Sequence, residues 1–581
     1  MGTMELTPHD NAPGLIARYG QLHDEEFADR ERTEVLVGLV IDLLRECGAD
    51  ARQTWGGLTS RPAITLALDS VAYLIEVTWF AEPTTPEQVA PFARDAADRH
   101  GIKSVLLSMS GFASDANQYL GTQGNLGLVL LDRAHLEAIL CGLVTPQAIF
   151  QEAARRALFD QSPYTSLTDL LVDRARLPDP PPFVTPDRMP QLAGQLVRAA
   201  PGVQAQLVLA GERGWGEPLG FGVVDDARVL VTTADGIVEV DLKRGGTDWA
   251  VPLAGCRGAP LVRPDGAVLT LCNDAVVRWK GGVLTPLAGG FGDARTLLTG
   301  PTGEPWALSG HGATFGTGTG TLALTRLGAQ PGQQQRHSVR FDADVRTAGW
   351  LGDLRFFLAA AGHSAVVDLA RSSAVHDQDW IETPHPSPGH LVVVDSQTVI
   401  TASPDPGGVH ATIYRTNLAS RTSDLVCEVA TNKVHGLAAG PSGHLLLLGD
   451  VRGNAVGVPH LVLIRVTFGR RPVVPEVATA AGVPAGSPAD PYDAVRLAAR
   501  GSRKDYALDP KQSPGAGRRR CLEPPTSPAV PGLRSRGSTP TARTTWRACA
   551  ARSKRHSYSA AIRMSCRSWI SALPSPGSSC R

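Results

Sequence analysis

Ala227-Arg-Val-Leu-Val-Thr-Thr-Ala-Asp-Gly-Ile-Val-Glu-Val-Asp-Leu242 decides the larger part of this chain. Two short runs of β-branched and apolar residues, Ala227–Thr233 and Gly236–Leu242, meet at a tight polar break, the pattern of a strand, a turn and a returning strand. Runs of the same kind recur at Ala267–Leu271, Ala275–Trp279, His390–Asp395 and His444–Leu448. Turn clusters recur with them, at Pro264-Asp-Gly266, Pro301-Thr-Gly-Glu304 and Pro441-Ser-Gly443, and each is expected just before an inner strand. The units repeat about every 40–50 residues, which is the signature of a β-propeller of about six blades over residues 195–470. An irregular pair of β-sandwiches is the alternative.

A protein or small ligand across one propeller face is the expected partner, and no single residue can be named for it. Gly316-Thr-Gly-Thr-Gly320 lacks the Lys-Ser/Thr of a phosphate loop and reads as a Gly-rich hairpin. The ten histidines between His311 and His460 show no metal-ligand spacing.

Outward toward the N-terminus the period changes. Glu25–Cys47 carries apolar residues at helical spacing and is closed by Gly48. Ala63–Leu68 and Val71–Phe80 read as strands around a turn at Asp69-Ser70. A helix from Pro86 to His100, a strand Ser104–Met109, a helix opened by Gly111–Ala116, a strand Leu126–Leu131 and a helix Asp132–Leu140 follow. The order αββαβαβα predicts a mixed α/β sheet with flanking helices over residues 12–145. A helical extension over 146–171 and a stiff linker at Leu177-Pro-Asp-Pro-Pro-Pro182 fill 146–194. Residues 471–513 read as a Pro/Ala-rich linker with a short helix at Pro491–Ala499.

Tyr73-Leu-Ile-Glu-Val-Thr-Trp79, Ser108-Met-Ser-Gly-Phe-Ala113 and Gly127-Leu-Val-Leu-Leu-Asp132, in this order, resemble the type IV restriction endonuclease family. The resemblance implies a restriction-endonuclease-like fold. It also implies a site in which an aspartate ahead of the central hairpin and a glutamate two residues before a lysine hold Mg²⁺. Here Glu76 matches the glutamate, but Thr78 stands in the lysine's place on the same strand face. The aspartate is expected near Arg61–Ile64, where there is no carboxylate, and Asp69 is the nearest substitute. The site is therefore degenerate: Glu76, Asp69 and Thr78 are its candidate catalytic residues. Glu76 and Asp69 are metal ligands only if the domain is active, and no other cofactor is expected.

Charge weighs against tight DNA binding. Residues 1–145 hold about twice as many acidic as basic residues, whereas a duplex binder presents a basic face. Met1–Leu6 has neither a basic start nor an apolar run, so no signal peptide is expected, and no run reaches membrane-spanning length. Cys47, Cys141, Cys256, Cys272 and Cys427 are scattered without a C-x-x-C pair, which fits a reducing cytoplasm. The high Ala, Gly, Pro and Arg content fits a GC-rich bacterial genome.

The composition breaks after Ser513. Residues 514–581 have thirteen Lys and Arg against the single acid Glu523, a charge of +12. The chain as a whole is neutral, so residues 1–513 stand at −12. The tail shows no helical or strand period and is expected to be disordered. A codon argument gives it another meaning. In a frame shifted by one base, Pro514–Arg536 permits R-G-G-Q-A-E-V-F-G-A-T-H-K-P-S-G-T-R-V-A-F-K. Ala551–Ile570 permits E-I-E-A-A-Q-L-F-G-G-N-P-H-V-M-P-V-L-D-F. These strings are not residues of this chain, but together they resemble the N-lobe of a protein kinase: a Gly-rich loop, the V-A-x-K strand and the helix glutamate, in order. The resemblance implies a kinase lost by frameshift after Ser513.

The expectation is thus a multidomain chain. It has a degenerate nuclease-like α/β domain, a propeller and a tail, and acts as a non-catalytic sensor or regulatory scaffold that originally controlled a Ser/Thr-type kinase. The alternative is a Mg²⁺-dependent, type IV restriction-endonuclease-like protein that binds or cleaves DNA.

Overall fold

Leu36, Leu39, Val40, Leu43 and Leu44 form one buried stripe of the helix Asp29–Glu46 (α2), which follows a first helix, Ala12–Asp24 (α1). Gly48, in the left-handed region at φ +80°, ends α2, and its N–H donates to the carbonyl of Arg45 at 2.8 Å. This is a computed structural model. It describes residues 12–24, 28–55, 62–123, 128–172, 178–188, 197–211, 215, 217–300, 303–311, 320–328, 331–332, 334–341, 345–352, 355–360, 363–368, 381–382, 389–404, 410–431, 433–452 and 459–468. Residues 316–319 of the Gly-rich hairpin, the segment 471–513 and the tail 514–581 lie outside the described residues.

Five strands make the first sheet, in the order β1 (Asp50–Trp55), β2 (Pro62–Leu68), β3 (Val71–Thr78), β4 (Ile102–Ser108), β5 (Leu128–Asp132). β1, β2 and β3 are antiparallel neighbours, and β4 and β5 run parallel to β3. Asp69 and Ser70, at φ 47° and 67°, form the two-residue turn between β2 and β3, the geometry whose twist matches that of paired strands. The parallel strands are joined through α3 (Pro86–Asp98) and α4 (Ser114–Gln123). α3 starts with Thr85 at its N-cap, Pro86 in the first turn and Gln88 completing a capping box. α5 (Arg133–Leu140), α6 (Pro146–Phe159) and α7 (Leu167–Leu171) follow.

This α/β layer corrects the sequence reading in two places. α1 and β1 are additional elements; β1 is an edge strand of mostly polar residues, in which Ala51 supplies the buried side chain, so hydrophobic alternation did not mark it. The single helical extension expected over 146–171 is two helices. Gln161 takes a left-handed φ of 52° between them, and the Pro163 carbonyl accepts from Leu130 N at 2.8 Å, so the break adds to the sheet edge.

The propeller has six sheets. Before the first blade, β6 (Phe183–Val184), β7 (Val197–Ala199) and β8 (Val203–Gly211) run ahead to the end of the ring. Blade one is β9 (Gly220–Val223), β10 (Arg228–Thr233), β11 (Gly236–Asp241) and β12 (Thr247–Val251), with β9 innermost. The inner strands of blades two to six are Cys256–Val262, Ala294–Thr299, Val345–Gly352, His390–Asp395 and Lys433–Ala439. Each inner strand touches the next, and the sixth returns to β9, which closes the ring. Their first residues, 220, 256, 294, 345, 390 and 433, lie between 36 and 51 residues apart.

The last blade is built from both ends of the propeller sequence. β8 pairs antiparallel with Pro459–Phe468, and β6 adds to β8. β7 joins the outer strand of blade five. The turns at Pro264–Gly266 and Pro441–Gly443 follow the innermost strands and lead to the second, rather than preceding the inner strands as expected. The Pro-rich stretch is not a free spacer. Trp249 Nε1 donates to Pro178 O at 3.1 Å, Thr247 Oγ1 to Pro180 O at 3.1 Å, and Phe183 N to Gly245 O at 3.0 Å. The described prolines therefore lie along the outer edge of blade one.

The α/β layer and the first blades share a core. One hydrophobic cluster runs from Leu36 and Leu44 through Ile75 and Val129 to Leu230, Ile237, Val277 and Trp279. At Gly289 an added Cβ would fall 2.5 Å from the Cα of Cys141, so only glycine admits this approach.

Candidate functional sites

Glu76 is 1 % exposed in the middle of β3. Its register partners are Ala63 on β2 and Leu106 on β4. The expected position of the missing aspartate, 61–64, thus includes the residue opposite Glu76, and that residue has only a methyl group. Asp69 lies at the far end of the hairpin, where Gln151 Nε2 of α6 donates to its Oδ2 at 2.9 Å. Five strand residues, Val71–Ile75, separate the turn from Glu76, so the two lie six residue steps or ~20 Å apart at the usual rise. Two carboxylates that far apart do not share an ion whose ligands sit at about 2 Å. Thr78 is buried, and its Oγ1 donates to the Leu107 carbonyl at 3.5 Å. The structure therefore does not bring Glu76 and Asp69 together, and among the described residues no group of three or more His, Cys, Asp or Glu is placed to hold a metal.

At the carboxyl ends of the parallel strands, where α/β sheets commonly bind ligands, Thr78, Ser108 and Asp132 form one row. Ser108 Oγ donates to Gly111 O at 2.8 Å and lies 2.7 Å from Thr84 Oγ1. Asp132 caps α5: its Oδ1 accepts from Ala134 N at 3.0 Å, and its Oδ2 accepts from Tyr164 OH at 2.7 Å. His135, wholly buried, sets Nδ1 2.7 Å from Asp132 Oδ1 and Nε2 3.0 Å from the Thr165 carbonyl. A carbonyl can only accept, so Nε2 carries a proton. Burial alone would raise the Asp132 carboxyl; the hydrogen bond and charge of His135, with the Tyr164 hydroxyl, outweigh it and hold the pKa below the usual range.

One turn along α5, Glu137 Oε1 accepts from Tyr19 OH at 2.8 Å and from Arg133 Nε at 2.7 Å. Burial, then the Glu137 charge, drives the Tyr19 phenol well above its ordinary value. Both imidazole nitrogens and both Asp132 oxygens are thus engaged within the protein, and the cluster offers no activated nucleophile. It locks α1, α5 and the 163–165 segment together. The sequence reading passed over it, although Asp132 at a strand end with His135 three residues on is a capping-box spacing.

On the propeller, polar and charged side chains gather around the inner strands of blades five and six and the segment leading into blade one. Lys433 pairs with Glu217, His435 Nε2 lies 2.9 Å from Asp450 Oδ2, and His390 Nε2 donates to Val434 O at 2.9 Å. Burial holds the His390 pKa below its ordinary value, and the Val434 carbonyl, which can only accept, sets a proton on Nε2. Among the described residues no helix is long and apolar enough to cross a membrane.

No protein-family description matches the chain, and no curated protein matches it. Solved structures do. The WD40 β-propeller domain of Doa1 is 13% identical over 45% of this chain and 96% of its own, with a TM-score of 0.30. Regucalcin, a calcium-binding protein from Agrobacterium tumefaciens, is 17% identical over 44% and 93%, with a TM-score of 0.32. A gluconolactonase from Xanthomonas campestris is 13% identical over 50% and 97%, with a TM-score of 0.31. All three cover about half of the chain; the assignment of a six-bladed propeller rests on the six sheets themselves.

Proposed function

We propose that the chain is a non-catalytic sensor or regulatory scaffold. In this reading the propeller binds a protein or small ligand, and the α/β layer is a nuclease-like domain that has lost its chemistry. The observation that carries it is the single hydrophobic cluster shared by α2, the α/β sheet and blades one and two. Close-packed interiors transmit displacement, so a partner on the blades is felt by the α/β layer. Ala63 opposite Glu76, threonine at 78 and the remoteness of Asp69 support the loss of catalysis. The reading requires no cofactor and no membrane. It places the chain in the cytoplasm, in keeping with five free cysteines among the described residues. We infer from the shifted reading frame that the regulated output was a Ser/Thr-type kinase.

Two experiments test this. Plasmid DNA incubated with the protein and Mg²⁺ or Mn²⁺ should stay intact, for wild type and Glu76→Ala alike. Cleavage abolished by Glu76→Ala would overturn the non-catalytic reading in favour of a Mg²⁺-dependent nuclease. Sequencing the gene across codon 513 should show the shifted frame continuing through a kinase; a prompt stop in that frame refutes the kinase inference.

A further inference from the structure

A cavity of about 330 Å³ lies between α1 and blades two and three. That falls in the size range of small-molecule sites. Ile16 of α1 and Phe291 form its apolar walls, and Asp293, Ser309, Thr325 and Arg336 bring polar groups to it from blade three and the turn before it. Ser309 and Thr325 are each 4 % exposed, and among the described residues neither hydroxyl has a hydrogen-bond partner. Gln334, also on the lining, has a buried Nε2 without a partner. Arg336 stands opposite Thr325 in the strand register and forms no ion pair among the described residues. A buried polar group left without a partner is costly, and Gln334 Nε2, with two hydroxyls and a guanidinium converging on the same cavity, marks a place where something else supplies the bonds.

We propose that this cavity binds a small hydroxylated carboxylate. The Arg336 guanidinium, the Gln334 amide and the two hydroxyls offer donors to a carboxylate, and Asp293 offers an acceptor to a ligand hydroxyl. The site touches both parts of the chain. Gly332, on its lining, packs so closely on α1 that an added Cβ would lie 2.6 Å from the Cα of Gly20. The regulatory consequence rests on the sensor reading: an occupant would tie α1 to blade three.

Isothermal titration of the full chain with citrate and with L-malate tests the site, with sorbitol and acetate as controls. At least one hydroxy acid should bind saturably at one site per chain, and neither control should. Arg336→Ala, an exposed change that leaves the core intact, should weaken binding about tenfold or more, and Ser309→Ala several-fold. No saturable binding of either acid at millimolar concentration would overturn the proposal, as would binding that both variants leave unchanged. Hydrogen exchange in α1 during the same titration tests the sensor reading separately. Binding with unchanged exchange there refutes coupling and leaves the site in place.

Discussion

The side-chain amide of Asn273 donates a 2.8 Å hydrogen bond to the main-chain carbonyl of Leu143, joining a hairpin of blade two to the turn after α5. Asn273 itself takes a left-handed φ of 49°, a conformation that asparagine, aspartate and glycine tolerate. Asn273→Gly keeps the turn and loses the bond, and should cost about 1 kcal/mol in urea unfolding. Asn273→Asp also keeps the turn but sets a carboxylate against a carbonyl, and should cost more, about 1–3 kcal/mol. Equal stability of all three proteins would show that the joint contributes nothing.

Gly220 opens the inner strand of blade one, where an added Cβ would lie 1.8 Å from the Gly258 carbonyl oxygen of blade two. The obstacle is main chain of a neighbouring blade and cannot swing away. Gly220→Ala should therefore destabilise by about 2–3 kcal/mol, whereas Gly246→Ala, with open space around it, should fall within about 0.5 kcal/mol of wild type. Thermal unfolding of the two variants side by side checks this.

That glycine shows what the sequence could and could not say. Strand and turn chemistry was legible: the Asp69-Ser70 turn, the start of α3 at Pro86 and the repeat of the blades all follow from local rules. Gly220, Gly222, Gly349 and Gly436 are different. They are strand residues required by the next blade, at Gly258, Pro260, Leu391 and Phe221, and no local pattern reveals a neighbour some forty residues away, or, for Gly436 and Phe221, at the other end of the propeller sequence. The same holds for β8, whose partner Pro459–Phe468 lies at the other end of the propeller. For the candidate site, Glu76 and Thr78 could be read as a depleted motif. The contact of α1 with the blades could not, because it depends on Gly20 and Gly332 meeting in space.

Four of the five cysteines among the described residues should be chemically quiet. Burial, then Glu46, pushes the Cys47 thiol up to about 11, and burial, then Glu428, pushes Cys427 up to about 12. Cys141 is driven higher still by burial, and Cys256 is raised first by its hydrogen bond with Cys272 and then by burial. The thiolate is the nucleophile, so iodoacetamide at pH 8 should label peptides carrying these four about a hundredfold or more slower in the native protein than in urea. Rapid native labelling of Cys141 or Cys256 would contradict the packing of α5 on blade two.

Acid should find the Asp132 cap. Its carboxyl is held below the ordinary value in the folded chain, so its contribution is present above the unfolded pKa of about 3.9 and is lost as pH falls through the lower folded value. Tyr164→Phe removes the hydroxyl that donates to Asp132 Oδ2 at 2.7 Å and leaves the His135 contact in place. A hydrogen bond to a charged, largely buried group contributes about 1.5–3 kcal/mol, so the variant should be less stable by about that much at pH 7. The gap should narrow only as pH falls through the folded-state pKa, below the ordinary carboxylate value, where protonation removes the same charge from folded wild type. Urea unfolding of both proteins from pH 7 to pH 2 reads the difference directly, and equal destabilisation by Tyr164→Phe in an Asp132→Asn background at pH 7 would mean that Tyr164 acts through packing against Phe112 and His135 rather than through the carboxylate.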